Sequence, residues 1–97
     1  MKKIDHYVMM IVDKEGLTEE MRASFTGLNA WCRENIPGCI SEKIMFLEQD
    51  DASTVGISLC IVFDGEEAKD AFRTSQMHID HVNRVKPIVK QMAVYDL

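Results

Sequence analysis

The sequence has little positive charge and no long apolar segment. Eleven Lys and Arg residues stand against sixteen Asp and Glu, a formal net charge of -5. A negative net charge is unfavourable for binding the phosphate backbone of nucleic acid, so nucleic acid is not an expected partner. No apolar run approaches the roughly 20 residues of a membrane-spanning helix, and Lys2, Lys3 and Asp5 interrupt the start before a signal-peptide core can form. We therefore expect a cytoplasmic protein without a membrane partner.

Cysteine is scarce, and the three thiols do not form a recognisable framework. Their number is odd, Cys-x-x-Cys spacing is missing, and each of Cys32, Cys39 and Cys60 has apolar neighbours. We interpret them as reduced thiols that pack as small hydrophobic side chains. The sequence also lacks a glycine-rich phosphate loop, a nucleophile elbow and a Walker pattern. No cofactor is therefore expected.

What is present is the composition of one globular domain over residues 1–97, with 46% apolar residues. Residues 3–12 alternate as a strand, but both faces are largely apolar. One face carries Ile4, His6, Val8, Met10 and Val12, and the other carries Tyr7, Met9 and Ile11. A half-solvated strand would expose polar residues on one face, so this strand should be covered on both sides.

A helix should follow, because apolar residues recur from Leu17 to Ile36 at spacings of three and four. Thr18 is suited to cap its start, and the Pro37-Gly38 pair ends it. Further strands are predicted over residues 39–48, 56–63 and 89–95. Ile40, Ile44 and Phe46 should share one face of the second strand. A second helix is predicted over residues 66–76, with a further turn or two around Ile79, Val82 and Val85.

This order, β-α-β-β-α-β, is typical of a ferredoxin-like α+β sandwich, in which an antiparallel four-stranded sheet carries both helices on one face. The helices leave the other face of the sheet without cover. Because the first strand is apolar on both sides, we expect that face to pair with a second copy of the chain. The prediction is a homodimer joined sheet to sheet.

Two histidines stand three residues apart, His78 and His81, and on a helix they would lie on neighbouring rows of one face. They could converge on one ligand. The pair lacks the third ligand and the glutamate of a zinc-protease helix, so no metal is expected. Alternatively, His78 flanks a helix start and His81 is a partly buried polar residue.

His6 interrupts an otherwise apolar strand face. An imidazole buried without a hydrogen-bond partner costs roughly 1–3 kcal/mol, so His6 needs a partner or a cavity. It could share a cleft with His81, where two neutral imidazoles could move a proton. It could equally bond a backbone carbonyl within the dimer interface.

Several short features occur in an order that resembles the stress-responsive A/B barrel domain of the dimeric α+β barrel superfamily. The resemblance spans nearly the whole chain and rests on His6, Ile36-Pro37-Gly38, Val62-Phe63, His78-x-x-His81-Val82, Val85 and Pro87. It implies a ferredoxin-like protomer that pairs into a dimeric α/β barrel. This agrees with the dimer expected from the first strand.

The family includes a plant enzyme, olivetolic acid cyclase, which closes a linear polyketide by aldol condensation. The resemblance implies that His81 is the catalytic base and that His6 lines the same pocket. The tyrosine that assists the catalytic histidine falls at Ser75 or Phe72, a third-strand pocket histidine at Ile57 and a first-helix tyrosine at Asn29. The ligand-binding residues implied are thus His78, Ser75, Phe72, Asn29 and Ile57.

Three functions remain open at this point. The first is a protein with a histidine-lined apolar pocket that binds a small hydrophobic or aromatic ligand. The second is a cofactor-free acid/base enzyme, such as a cyclase, isomerase or monooxygenase, with His81 as base and His6 in support. The third is a structural or regulatory dimer that has no ligand.

Overall fold

A computed structural model describes residues 2–97 as four strands and three helices. In chain order they are β1 (Ile4–Asp13), α1 (Glu19–Asn35), β2 (Cys39–Leu47), β3 (Thr54–Phe63), α2 (Glu66–Arg73), α3 (Gln76–Val85), a short 3-10 helix (Lys86–Ile88) and β4 (Val89–Asp96). The strands form one antiparallel sheet in the order β2-β3-β1-β4. This is the ferredoxin-like α+β fold that the sequence predicts.

Helix α1 begins and ends where local chemistry predicts. The Thr18 hydroxyl accepts a hydrogen bond from the Met21 backbone N–H at 3.3 Å, which satisfies one of the free donors of the first turn. Past the helix end, Gly38 has a φ of +92°, in the left-handed region that favours glycine. A Cβ there would also collide with the Asp64 carboxylate. Gly38 thus allows the chain to turn directly into β2.

The second helical region differs from the prediction, because α2 stops at Arg73 and a separate helix starts at Gln76. The Ser75 hydroxyl donates to the Phe72 carbonyl at 2.6 Å and accepts from the His78 backbone N–H at 3.2 Å. Serine forms such local bonds at helix ends, so Ser75 ends one helix and caps the next. The predicted boundary at residue 76 was therefore placed too late.

The helices cover one face of the sheet, which we call the inner face. Its side chains pack against α1 and the later helices in two neighbouring clusters. The first consists of Met10, Val12, Leu17, Phe25, Val55, Ile57, Val85 and Ile88. The second consists of Leu28, Cys32, Cys39, Leu59, Ile61, Phe63, Ala68 and Phe72.

The opposite side of the sheet, the outer face, exposes large apolar residues to solvent. They are Met9, Ile11, Met45, Leu47 and Tyr95, which are 39% to 60% exposed. The two-sided apolar character predicted for β1 is thus present, with one side buried under helices. The register of β2 shifts between Cys39 and Ser41 and leaves Ile40 exposed, so Ile40 was wrongly grouped with Ile44 and Phe46.

The three thiols are free, with Cys32 and Cys39 buried and Cys60 half-buried. Burial raises the pKa of Cys32, which keeps it a protonated, unreactive thiol at neutral pH. None of the helices within residues 2–97 has the length and apolar character needed to cross a membrane.

Candidate functional site

A cavity of about 500 Å³ lies between the inner face of the sheet and the helices. Its lining includes His6, Asn29, Phe72, His78 and His81, with aliphatic side chains from β1, β3, β4, α1 and α3 between them. On β4, Met92 and Val94 also line the cavity, and they are 61% and 48% exposed. The cavity is therefore open along this edge strand rather than filled by aromatic side chains.

A second, more open depression of about 690 Å³ lies on the outer face. It is lined mainly by Met9, Ile11, Leu47, Met92 and Tyr95, and none of the histidines belongs to its lining. Convergent polar groups in an apolar setting mark binding sites better than volume does. The inner cavity is therefore the candidate site.

Five of the seven sequence-predicted site residues line this cavity, and two do not. Ser75 is occupied as the cap of α3. Ile57 is 2% exposed and packs in the first core cluster with Phe25 and Val85. The family resemblance assigned both residues to the pocket by their positions along the sequence. Those positions reveal neither that a helix ends at Ser75 nor that β3 packs against α1 at Ile57.

His6 is held by a carboxylate rather than a backbone carbonyl. The β1–β4 register places it opposite Asp96, and its Nδ1 donates to Oδ1 of Asp96 at 2.6 Å. The other oxygen of Asp96 accepts from Nζ of Lys69 at 2.7 Å, and Lys69 also pairs with Glu66 at 3.1 Å. Hydrogen bonds from Lys69 and, secondarily, from His6 lower the pKa of Asp96. Asp96 therefore stays ionised and orients the imidazole.

His81 is 6% exposed and makes its polar contact with α1. Its Nδ1 lies 2.8 Å from the Ser24 hydroxyl, which also accepts from the Arg84 guanidinium at 2.7 Å. The edge of one ring meets the face of the other where His81 packs on Phe25, with centroids 4.6 Å apart. Burial, then the charges of His78 and Arg84, lower the pKa of His81 to about 4. The imidazole is thus neutral at physiological pH.

His78 lies on the same side of α3, as the three-residue spacing predicts. It is half-buried and packs edge-on against Phe72, with ring centroids 4.9 Å apart. Burial lowers its pKa as well. Within the described range 2–97, no three His, Cys, Asp or Glu side chains cluster closely enough to hold a metal ion. The two helical histidines therefore add neutral aromatic surface to the cavity.

Asn29 is the most unusual lining residue. It is 1% exposed, and neither Oδ1 nor Nδ2 has a hydrogen-bond partner anywhere in residues 2–97. Buried polar groups are nearly always paired, and an unpaired one costs about 1–3 kcal/mol. The side chain lines the cavity, but both polar atoms are themselves shielded from solvent, so a bound molecule supplies the missing partners only when the amide turns toward the cavity.

Four residues that shape the site are missing from the sequence-based predictions: Ser24, Lys69, Arg84 and Asp96. The Ser24–His81 pair spans 57 positions and the His6–Asp96 pair spans 90. Only Asp96 could have been found, by extending the antiparallel register of β1 and β4 to the end of the chain. The others depend on how the helices pack.

The sequence matches no protein-family model and no curated protein. Solved structures of the same fold are numerous. Rv0793 from Mycobacterium tuberculosis is 18% identical, with a TM-score of 0.76 over 99% of this chain and 93% of its own. A candidate antibiotic biosynthesis monooxygenase from Bacteroides thetaiotaomicron is 17% identical, with a TM-score of 0.81 over 99% and 88%. A Bacteroides fragilis protein described as dimeric, with a ferredoxin-like fold and unknown function, is 16% identical, with a TM-score of 0.73 over 98% and 94%.

At these identities the likeness establishes the fold. It groups the chain structurally with proteins described as antibiotic biosynthesis monooxygenases and with others of unknown function. The chemistry has to be argued from the cavity itself.

Proposed function

We propose that this protein is a stress-responsive A/B barrel protein that binds a small, largely apolar ligand in the inner cavity. The observation that carries the proposal is Asn29, a fully buried amide whose donor and acceptor both lack partners where it lines the cavity. A ligand with a complementary polar group, toward which the Asn29 amide turns on binding, recovers the cost of that desolvation. Aromatic rings from Phe72, His78 and His81 suit a flat or cyclic ligand.

We further propose that the binding unit is a homodimer joined through the outer faces. The exposed side chains of Met9, Ile11, Met45, Leu47 and Tyr95 form an apolar surface of the kind that marks interfaces. The Bacteroides fragilis protein of similar fold is described as dimeric, which supports a dimer without indicating its interface. Of the residues that line the inner cavity, Met10 and Met92 also line the outer depression and the histidines do not, so we expect pairing through the outer faces to leave the histidines accessible.

The test is a thermal-shift screen of small aromatic and cyclic compounds that carry an amide, carboxyl or hydroxy-carbonyl group. A compound at 100 times its Kd should stabilise the protein by about 2.7 kcal/mol. Asn29→Leu should abolish the shift by removing both polar atoms while keeping the branching of the side chain. Asn83→Leu, on the exposed surface of α3, is the matched control and should retain it.

Equal binding by wild type and Asn29→Leu would overturn the role of Asn29. A silent screen, together with unaltered chemical shifts of the cavity residues, would favour the ligand-free structural dimer.

A cofactor-free acid/base enzyme is the second candidate, and the His6–Asp96 pair favours it. A carboxylate that accepts from Nδ1 holds an imidazole in the orientation that general bases use. The assay follows deuterium exchange into carbon-acid compounds in D₂O by proton NMR. His6→Gln and His81→Ala should each slow the exchange. Rates equal to those of wild type in both variants would exclude the two histidines from catalysis.

A further inference from the structure

We propose that Ser24 and Arg84 are positioning residues that fix His81 in the tautomer carrying its proton on Nε2, so that His81 presents a hydrogen-bond donor to the cavity. In this arrangement His6 supplies the opposite polarity, a lone pair on Nε2, when its ring is neutral. The tautomer is a property of the free protein. Its use by a ligand rests on the proposed function.

The argument starts from Arg84, whose guanidinium has donors only. Its Nη1 lies 2.7 Å from the Ser24 hydroxyl oxygen, so that oxygen must accept. The hydroxyl then has one hydrogen to donate. His81 Nδ1 lies 2.8 Å away and is the acceptor that faces it.

Other helical hydroxyls in the chain behave differently. Thr26 donates back to the Arg22 carbonyl at 3.3 Å, and Thr74 donates to the Asp70 carbonyl at 2.8 Å. These are the ordinary bonds of a hydroxyl within or at the end of a helix. The Ser24 hydroxyl instead contacts two side chains of α3, those of His81 and Arg84. Its hydrogen therefore points to His81 rather than to a carbonyl of its own helix.

The charge of Arg84 reinforces this direction. A cation at the serine oxygen polarises the O–H bond and strengthens it as a donor. The same cation, with burial and His78, opposes a second positive charge on His81. A neutral ring that accepts at Nδ1 carries its one proton on Nε2.

His6 is arranged the other way round. The Asp96 carboxylate can only accept, so Nδ1 of His6 donates, and Nε2 is the ring nitrogen left to face a ligand. The cavity therefore contains one histidine fixed as a donor and one that is an acceptor or base when its ring is neutral. This reverses the expectation that His81 is the base, and it predicts that the ligand atom facing His81 is an acceptor oxygen.

The experiment is long-range ¹H–¹⁵N NMR of the imidazole rings in the ligand-free protein at pH 7, which distinguishes protonated from unprotonated ring nitrogens. The chain has three histidines, so assignment is tractable. For His81 we expect a protonated Nε2 and an unprotonated Nδ1, and for His6 a protonated Nδ1. A His81 ring protonated on Nδ1, or on both nitrogens, would overturn the proposal.

Two pairs of variants separate positioning from general structural damage. Ser24→Ala and Arg84→Gln should give His81 a mixture of tautomers, whereas Ser24→Thr and Arg84→Lys should retain the Nε2 form because they keep the hydroxyl and the cation. The His6 nitrogens should be unchanged throughout, which reports an intact fold. An unaltered His81 tautomer in Ser24→Ala would show that Ser24 does not set it.

For a compound found in the screen, Ser24→Ala should weaken binding by about tenfold, the net worth of one hydrogen bond, and Ser24→Thr should not. Binding equal to that of wild type in Ser24→Ala would show that the ligand does not use the donor. If the predicted tautomer is found but the screen identifies no compound that binds, the result supports the tautomer inference and counts against the proposed function. The two can therefore fail separately.

Discussion

Replacing Asn29 by leucine should stabilise the free protein, an unusual outcome for a polar residue that lines a functional cavity. In the native structure both amide atoms are buried without partners. Each unsatisfied group costs about 1–3 kcal/mol, and leucine removes both costs while keeping the branching of the side chain. A further gain of about 1.5–3 kcal/mol comes from burying the side chain, less roughly 1–3 kcal/mol for imperfect fit.

Together these figures give a rise of about 0.5–8 kcal/mol in the free energy of unfolding, centred on about 4 kcal/mol. For a chain of this length each kcal/mol raises Tm by about 4–8 °C. Urea denaturation at fixed protein concentration measures the change, since dimerisation would make the midpoint depend on concentration. Asn83→Leu on the exposed surface should stay within about 0.5 kcal/mol of wild type.

A loss of stability in Asn29→Leu would refute the reasoning. It would mean that the amide is already satisfied in the free protein, by water within the cavity, and that no ligand is needed to complete it.

Two other predictions concern pH and assembly. Because burial lowers the pKa of His81 from 6.5 to about 4, the unfolded chain binds a proton in this interval that the folded chain does not. The free energy of unfolding should therefore be unaffected by His81 above pH 6.5 and should fall by up to about 3 kcal/mol as the pH drops from 6.5 to 4. Urea denaturation midpoints measured across this pH range test the prediction. Met9→Glu places a charge at the centre of the outer face and should shift the protein from dimer to monomer in size-exclusion chromatography with light scattering.

The pH prediction and the assembly prediction each have a matched control variant. His81→Gln should flatten the pH dependence, and an unchanged slope in that variant would show that another group is responsible. Ile79→Glu introduces the same charge at a similarly exposed position on α3, where it should leave the dimer intact. A wild-type protein that is monomeric at micromolar concentration would contradict the proposed interface.

Much of the fold was predictable from local patterns. The alternation in residues 3–12 predicts a strand with two apolar faces, because side chains on a strand point alternately to opposite sides. Thr18 and Gly38 delimit α1 through bonds and dihedral angles that depend on immediate neighbours. The break at Ser75 was harder to place, because a serine within a helical pattern either joins the helix or caps the next one, and the periodicity is the same in both cases.

The site was predictable only in part. His6 stands out in the sequence because it interrupts an apolar face, and its need for a partner or a cavity follows from the cost of burying an imidazole. Its actual partner, Asp96, lies 90 residues away. Ile57 was assigned to the pocket by resemblance, but the packing of the sheet against α1 buries it in the core.

The sequence by itself determined the element order, the capping of α1 and the isolation of His6 among apolar residues, because these depend on interactions between near neighbours. Only the tertiary structure decided that Ser24, itself bonded by Arg84, contacts His81, that Asp96, itself bonded by Lys69, holds His6, and that Asn29 has no partner within residues 2–97. The physical reason is that a hydrogen bond is formed or lost over fractions of an ångström. The chain positions such pairs by packing helices on a sheet, and no spacing along the sequence records that packing.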